Sequence, residues 1–307
     1  MQQAELIAAV VVTYNRRELL LEALAAVQAQ SRPPDQVIVV DNASSDQTAD
    51  AVRERFPAVD LAELTRNTGG AGGFAYGMTR GLAAGASLLW LMDDDTVPAP
   101  GALAALLAAR QRHQPSPVLV ASRVEWTDGR PHPMNTPRPR PLASRAERQA
   151  AEAAGCVPIR SASFVSVLVE AAAARQRGLP LADYFLWNDD FEFTTRLLRG
   201  NQGLLCPASV VVHKTRTFGS TNADPGPRFF YEVRNKIWTL RAAAPLAPAE
   251  RLLYGGSTLR RWARTFAGSG DRRALAGALR RGLVAGLRTR PRPNEEVLAG
   301  AGPASPT

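Results

Sequence analysis

The chain is poor in cysteine and histidine, with two and three among 307 residues. Neither Cys156 nor Cys206 belongs to a CxxC pair. That excludes a disulfide framework and a zinc ribbon, and a reducing compartment is expected. No apolar run is long enough to cross a bilayer, so no transmembrane helix is expected. The opening MQQAELIAAVVVTYN lacks a basic region ahead of its short apolar run. It is expected to be a first strand rather than a signal peptide. A GxGxxG after the first strand with a downstream acidic residue is also missing, which disfavours a dinucleotide site.

What is present is ordinary for a soluble α/β domain carrying a helical extension: 45% hydrophobic and 21% charged residues. The net charge of +9 is unevenly placed. Residues 236–307 hold 13 Lys and Arg against 4 Asp and Glu, so the whole excess lies there. Such a segment suits an anionic partner, whether membrane, nucleic acid or charged polymer, or is a solvated arginine-rich face.

The first half alternates short apolar runs with helical spacing. Strands are expected at 6–13, 36–40, 59–64 and 88–92, and helices at 16–28, 46–55, 70–84 and 101–110. Continuous apolar strands alternating with helices imply a parallel sheet covered on both faces. In such sheets ligands bind beyond the carboxyl ends of the strands. Three polar clusters fall there: Thr13-Tyr14-Asn15, Asp41 to Asp46, and Asp93-Asp94-Asp95. The Pro- and Arg-rich stretch 126–160 is expected to be a long loop. A strand is expected at 161–169, a helix at 170–177, a helix starting near Asp189, and a strand ending at His213. From Pro227 three helical segments are expected, then a disordered Pro-rich tail from Arg290.

Four features carry chemistry. In LLWLMDDDTVPAP, three like charges follow a buried strand, and they repel unless a cation intervenes. Alternate residues of an extended segment share a side, so Asp93 and Asp95 could hold one Mg²⁺ or Mn²⁺ while Asp94 faces away. The alternative is a solvated turn that caps a helix. RNTGGAGGFAYGM offers glycines for close backbone approach and a helix start for a phosphate, or is a flexible loop. Asp189 and Asp190 at a helix start could supply a general base, or could simply favour the first turn. His213 closes a strand, as a ligand or as an ordinary strand-end residue. His113 and His132 receive no role.

VVVTYNR, VIVVDNASSDQT, NTGGAGGFAYGM, WLMDDD and FLWNDDFEF, followed by a strand ending in histidine, occur in one order. Together they resemble the family 2 glycosyltransferases of the GT-A fold, over roughly residues 6–240. Within that family the set is most similar to the bacterial galactofuranosyl- and rhamnosyltransferase branch. The resemblance implies an α/β, mostly parallel sheet with helices on both faces, comprising a nucleotide-sugar-binding and catalytic domain at 1–235. A basic helical extension occupies 236–307.

It also implies roles. Thr13 and Tyr14 would line the nucleotide pocket, Asp41 would contact base or ribose, and Arg66 or Asn67 the base and diphosphate. Gly69, Gly70 and Gly73 would let the backbone approach the donor. Asp93, Asp95 and His213 would hold Mn²⁺ or Mg²⁺, and Asp94 would face the ribose or the sugar. Trp187 and Asp189 would shape the acceptor subsite. The family's WDD or WGDD reads here Trp187-Asn188-Asp189-Asp190, and the base would be its second aspartate, Asp190. The implied reaction is inverting transfer from a UDP- or dTDP-sugar to a glycan or lipid-linked glycan, in the cytoplasm. A sugar nucleotidyltransferase would need a glycine-rich, basic loop after the first strand, and VVVTYNRREL has no glycine. A non-catalytic glycan- or nucleotide-binding module would not need the intact Asp93, Asp95, Asp190 and His213. No nucleic-acid partner is expected, since aromatic and basic residues do not interleave.

In RRALAGALRRGLVAGLRTR, Leu275, Leu279, Leu283 and Leu287 recur every fourth residue with arginines largely on another side. A helix over 272–290 is expected either to lie on an anionic membrane or to pack its leucines inward.

Overall fold

The computed structural model describes residues 5–218 and 224–302. Valine-rich β1 (Ile7–Thr13) is buried along its whole length and pairs in parallel with β2 (Gln36–Asp41) and β4 (Leu88–Asp93). Ile7, Ala9 and Val11 face one apolar core, and Ala8, Val10 and Val12 the other. That two-sided burial explains why the strand reads as a continuous hydrophobic run. The first core takes α1 (Arg17–Gln28), α2 (Thr48–Arg55) and α4 (Ala102–Arg112); the second takes α3 (Gly69–Ala83).

The sheet is mixed and ten-stranded. Parallel β3 (Asp60–Glu63), β2, β1 and β4 are followed by β9 (Val167–Glu170), antiparallel to both β4 and β6 (Leu119–Glu125). β10 (Gly203–His213) runs parallel to β6 and antiparallel to β8 (Val157–Ser161), which pairs with β7 (Arg138–Pro139). After the triple aspartate, where a helix-capping turn is the alternative to a metal site, the chain forms β5 (Thr96–Pro98), antiparallel to β10 with Thr96 opposite His213. This register sets the histidine beside the aspartates.

Two local expectations are corrected. Residues 126–160 are not one long loop: they contain β7, α5 (Arg145–Ala153) and the start of β8. Ser144 accepts from the Glu147 N–H while Glu147 accepts from the Ser144 N–H, a capping box written in the sequence as S-x-x-E. The single strand expected at 161–169 is split between β8 and β9, and the intervening Ser163 and Phe164 turn toward a cavity. Helix α6 (Ala171–Arg177) follows, then α7 (Asp189–Leu197).

The C-terminal part comprises α8 (Phe229–Arg241), α9 (Pro248–Gly268), α10 (Arg272–Arg288) and α11 (Asn294–Val297). A boundary at residue 235 therefore runs through the middle of α8. The stripe of α10 buried on α8 is Leu275, Ala278, Gly282 and Gly286. A Cβ at Gly282 or Gly286 would strike Val233 or Ile237, so these small residues let the two helices approach closely. Leu279 and Leu283 pack against the same cluster, while Val284 and Leu287 stand exposed. Most of the leucine stripe of residues 272–290 thus packs inward against α8. The tail expected to be disordered also packs, as far as Gly302: Ala301 accepts from the Thr65 N–H at 3.0 Å and Val297 from Arg66 at 2.6 Å.

Candidate active site

The carboxyl ends of β1, β4 and β10 meet at one cavity of about 850 Å³, lined by Asp93, Asp94, Asp95, His213, Asp189 and Asp190 among others. Asp93, Asp95 and His213 each offer one ligand atom, all within 4.8 Å of one another. Asp94 lines the same cavity but is not part of that set, accepting from the Thr13 hydroxyl at 2.8 Å. Arg16 donates to Asp94 at 3.2 Å and to Asp95 at 2.6 Å. It supplies part of the counter-charge that the three aspartates require.

The donor set fits a hard divalent ion. His213 Nε2 lies 2.9 Å from Asp95 Oδ1, and its Nδ1 lies 2.8 Å from Asn135 Oδ1. The Asn135 amide is oriented by its own donation to Ser163 Oγ at 3.3 Å, so Oδ1 faces the ring and accepts from Nδ1–H. Nε2 then faces a carboxylate oxygen, and that approach needs a cation, either a proton or a metal, to be favourable. Two carboxylates and an imidazole are suitable ligands for Mn²⁺ or Mg²⁺.

Burial pushes Asp93 up to about 7, with the neighbouring Asp95 adding to it. Burial likewise pushes Asp94 up to about 6, against the pull of Arg16. Asp95 is buried too, but its hydrogen bond to His213 and the charges of His213 and Arg16 hold it below the usual carboxylate range. In return, Asp95 raises His213 against the effect of its burial.

Asp190 also lines a second cavity, of about 250 Å³, on the side toward the C-terminal helices. Arg138, Glu232, Lys236, Arg261 and Trp262 surround that space. Trp187 and Asp190 thus stand where the two cavities meet. Burial raises the Asp190 carboxyl, tempered by the Phe191 N–H at 2.6 Å and by the charges of Lys236 and Arg138. Asp189 is raised well above its ordinary value, by burial and then by Asp190. Burial lowers Lys236 to about 8.

The loop before α7 is held in an unusual shape. Phe185, Trp187 and Asn188 have φ of 62°, 64° and 65°, a region that non-glycine residues rarely occupy. Asn235 on α8, fully buried, fixes it by donating to the carbonyls of Tyr184, Leu186 and Trp187 at 2.8, 2.9 and 2.8 Å. Asn188 donates to Glu232 at 2.8 Å, a second tie to α8. Asn235, Asn135, Arg16 and Lys236 escaped the sequence reading, because each acquires its place only through long-range packing.

The glycines of the loop face different neighbours. Gly70 lines the cavity and a Cβ there would meet open space. Gly69 instead has φ 72° and abuts the Phe185 carbonyl, while a Cβ at Gly73 would strike Val12. Gly77 and Gly81 continue this stripe, meeting Val10 and Leu89. Their spacing of four marks a helix face packed tightly on the sheet. The remaining candidates sit around the ends of β1 to β3. Tyr14 is half exposed, Asp41 accepts from the Ser44 N–H at 2.9 Å, and Asn67 accepts from the Gly69 N–H at 2.7 Å. Arg66, expected at the base and diphosphate, is engaged by the C-terminal tail through Val297.

The family model for "Glycosyl transferase family 2" matches residues 8–171. The chain is 36% identical over 276 residues to the galactofuranosyltransferase GlfT1 of Mycolicibacterium smegmatis, covering 83% of this chain and 90% of that protein. It is 32% identical over 273 residues to the GlfT1 of Mycobacterium tuberculosis, covering 82% and 88%. Among solved structures it is similar to S. aureus TarS 1-349 in complex with UDP-GlcNAc (TM-score 0.64, 18% identity, 96% of this chain and 83% of that one). It is also similar to the mannosyltransferase PcManGT from Pyrobaculum calidifontis in complex with GDP-Man and Mn²⁺ (TM-score 0.56, 22% identity, 98% and 87%). The mixed, partly parallel sheet with its helical layers is the GT-A architecture, and the chain belongs to glycosyltransferase family 2.

Proposed function

We propose that this glycosyltransferase moves a furanosyl or deoxyhexosyl residue, galactofuranose before rhamnose, from a UDP or dTDP donor to a glycan or lipid-linked glycan, with inversion. The observation that carries this reading is the placement of Asp190. It shares one cavity with the acidic cluster and opens onto a second on the far side. The galactofuranosyltransferase relatives support the sugar, and the nucleotide-sugar complexes of the structural neighbours support the donor class.

In this reading Asp93, Asp95 and His213 hold Mn²⁺ or Mg²⁺, which when bound offsets the negative charge growing on the departing diphosphate. Thr13, Tyr14, Asp41 and Asn67 border the nucleotide, and Gly70 admits the donor. Asp94, tied to Thr13, faces the ribose or sugar. Trp187 offers a flat apolar surface to an acceptor ring, and Asp189 helps to shape that subsite. Asp190 takes the proton from the acceptor hydroxyl as that oxygen attacks the anomeric carbon. A raised carboxyl is the stronger base for this step. Attack from the face opposite the leaving group needs no covalent enzyme intermediate, so the configuration inverts. The setting that suits such a reaction is cytoplasmic assembly of a cell-envelope polysaccharide.

A donor screen with UDP-galactofuranose, dTDP-rhamnose and UDP-hexoses, with Mn²⁺ and with EDTA, tests the reading. Transfer from UDP-galactofuranose that EDTA abolishes is the expected result. In the same assay Asp190→Asn should lose transfer and keep donor binding by calorimetry. Near-normal turnover of Asp190→Asn would remove the proposed base.

A further inference from the structure

Helix α9 carries an apolar surface that nothing in the described structure covers. Its inner face is well packed: Tyr254 meets Phe191 edge-on, and Trp262 and Phe266 meet Phe229. Its outer face presents Leu252, Leu253 and Leu259, which are 81%, 58% and 65% exposed. Exposed Gly256, Ala263 and Ala267 continue the stripe along the helix. Surface leucines occur singly on most proteins, but three on one helix face, extended by small residues, are a patch.

Arginines flank this stripe. Arg260 and Arg264 are exposed and make no ion pair or hydrogen bond among the described residues. With Arg261 they also border a third cavity, of about 710 Å³. The region from residue 236 onward holds the whole positive excess of the chain. A second copy docked through α9 would bring these arginines against one another, whereas an anionic lipid surface complements both the charge and the leucines.

We propose that the outer face of α9 docks on an anionic bilayer, with Leu252, Leu253 and Leu259 in the headgroup–acyl boundary and Arg260 and Arg264 on lipid phosphates. Peripheral attachment thus belongs to α9, not to α10. The cavity beside Asp190 then lies behind the membrane-facing helix.

Vesicle flotation of the full chain tests this without any transfer assay, so its outcome is independent of the proposed reaction. Wild type should float with phosphatidylglycerol-containing vesicles and not with pure phosphatidylcholine, and high salt should release it. The triple variant Leu252→Ser, Leu253→Ser, Leu259→Ser should lose binding by about tenfold or more. Arg260→Gln and Arg264→Gln should each lose about fivefold. The pair Val284→Ser and Leu287→Ser on α10 should float as wild type. Circular dichroism melts identify variants that remain folded. Absence of flotation with anionic vesicles, equal flotation with neutral ones, or full flotation of the triple leucine variant would overturn the proposal. A dimer in sedimentation velocity that the leucine variant dissociates would do the same.

Discussion

Replacing Asn235 with alanine removes a buried amide whose two N–H protons are shared among three carbonyls of the loop that carries the paired aspartates. At about 1 kcal/mol net per proton donated, the loss is about 2 kcal/mol. For a chain of this size that lowers the melting temperature by roughly 4–8 °C. A larger consequence concerns the backbone. Phe185, Trp187 and Asn188 hold left-handed conformations, each costing on the order of 1–2 kcal/mol, and Asn235 is their main restraint. Without it the loop relaxes and Asp190 leaves its position between the two cavities. A displacement near 1 Å costs turnover about a hundredfold. Asp93, Asp95 and His213 are fixed by other elements, so Mn²⁺ affinity should change by less than about twofold. Asn235→Asp keeps the shape but places an acceptor against three carbonyls, and should be no better than alanine. The assays are thermal melting, Mn²⁺ calorimetry, and steady-state transfer well below the melting midpoint. If Asn235→Ala melted early but turned over like wild type, the loop would not need this clamp for catalysis. Equal losses of metal affinity and turnover would instead signal general unfolding.

Other substitutions probe separate parts of the site. Asn135→Ala frees the His213 ring and should weaken Mn²⁺ binding by about 10–100-fold in calorimetry, with little effect on melting. Lys236→Met removes a buried cation that holds the Asp190 carboxyl down. Its own folded value, about 8, lies below the unfolded one, so the charged form is penalised on folding. The variant should therefore melt higher, by about 1–3 kcal/mol, when assayed below that pH. Without the cation, the Asp190 value rises further. Turnover falls as pH drops through that value, so the acid limb of the rate profile should move to higher pH. Gly77→Val on α3 would drive methyls into Val10 and Val40 and should cost about 1–3 kcal/mol in denaturant unfolding.

The parallel half of the sheet was legible because two-sided burial writes itself as unbroken apolar runs, as in Ile7–Thr13 and Leu88–Met92. The acidic triplet was legible because three like charges at a strand end have few structural uses. Membership of His213 in that cluster is a matter of register, since only the pairing of β10 with β5 brings it opposite Thr96. Asn135 lies in a Pro-rich stretch with no local signal, and its value comes from contacts 28 and 78 residues away. The glycines of α3 had a readable period of four, but the same composition also suits a phosphate loop, and only packing distinguished Gly73 from Gly70. On α10 the leucines drew the eye, whereas the contact with α8 selected the small residues beside them. The exposed face of α9 gave no such signal, because its leucines are irregularly spaced among glycines and arginines.

The central claim is that one divalent ion joins the acidic cluster to a sugar donor's diphosphate. Anomalous diffraction at the manganese edge, from crystals grown with Mn²⁺ and UDP, measures this directly. A single peak within bonding distance of Asp93, Asp95 and His213 Nε2, and of both UDP phosphates, is the expected result. UDP bound in the cavity with no peak there, or a peak that His213 does not touch, would contradict it.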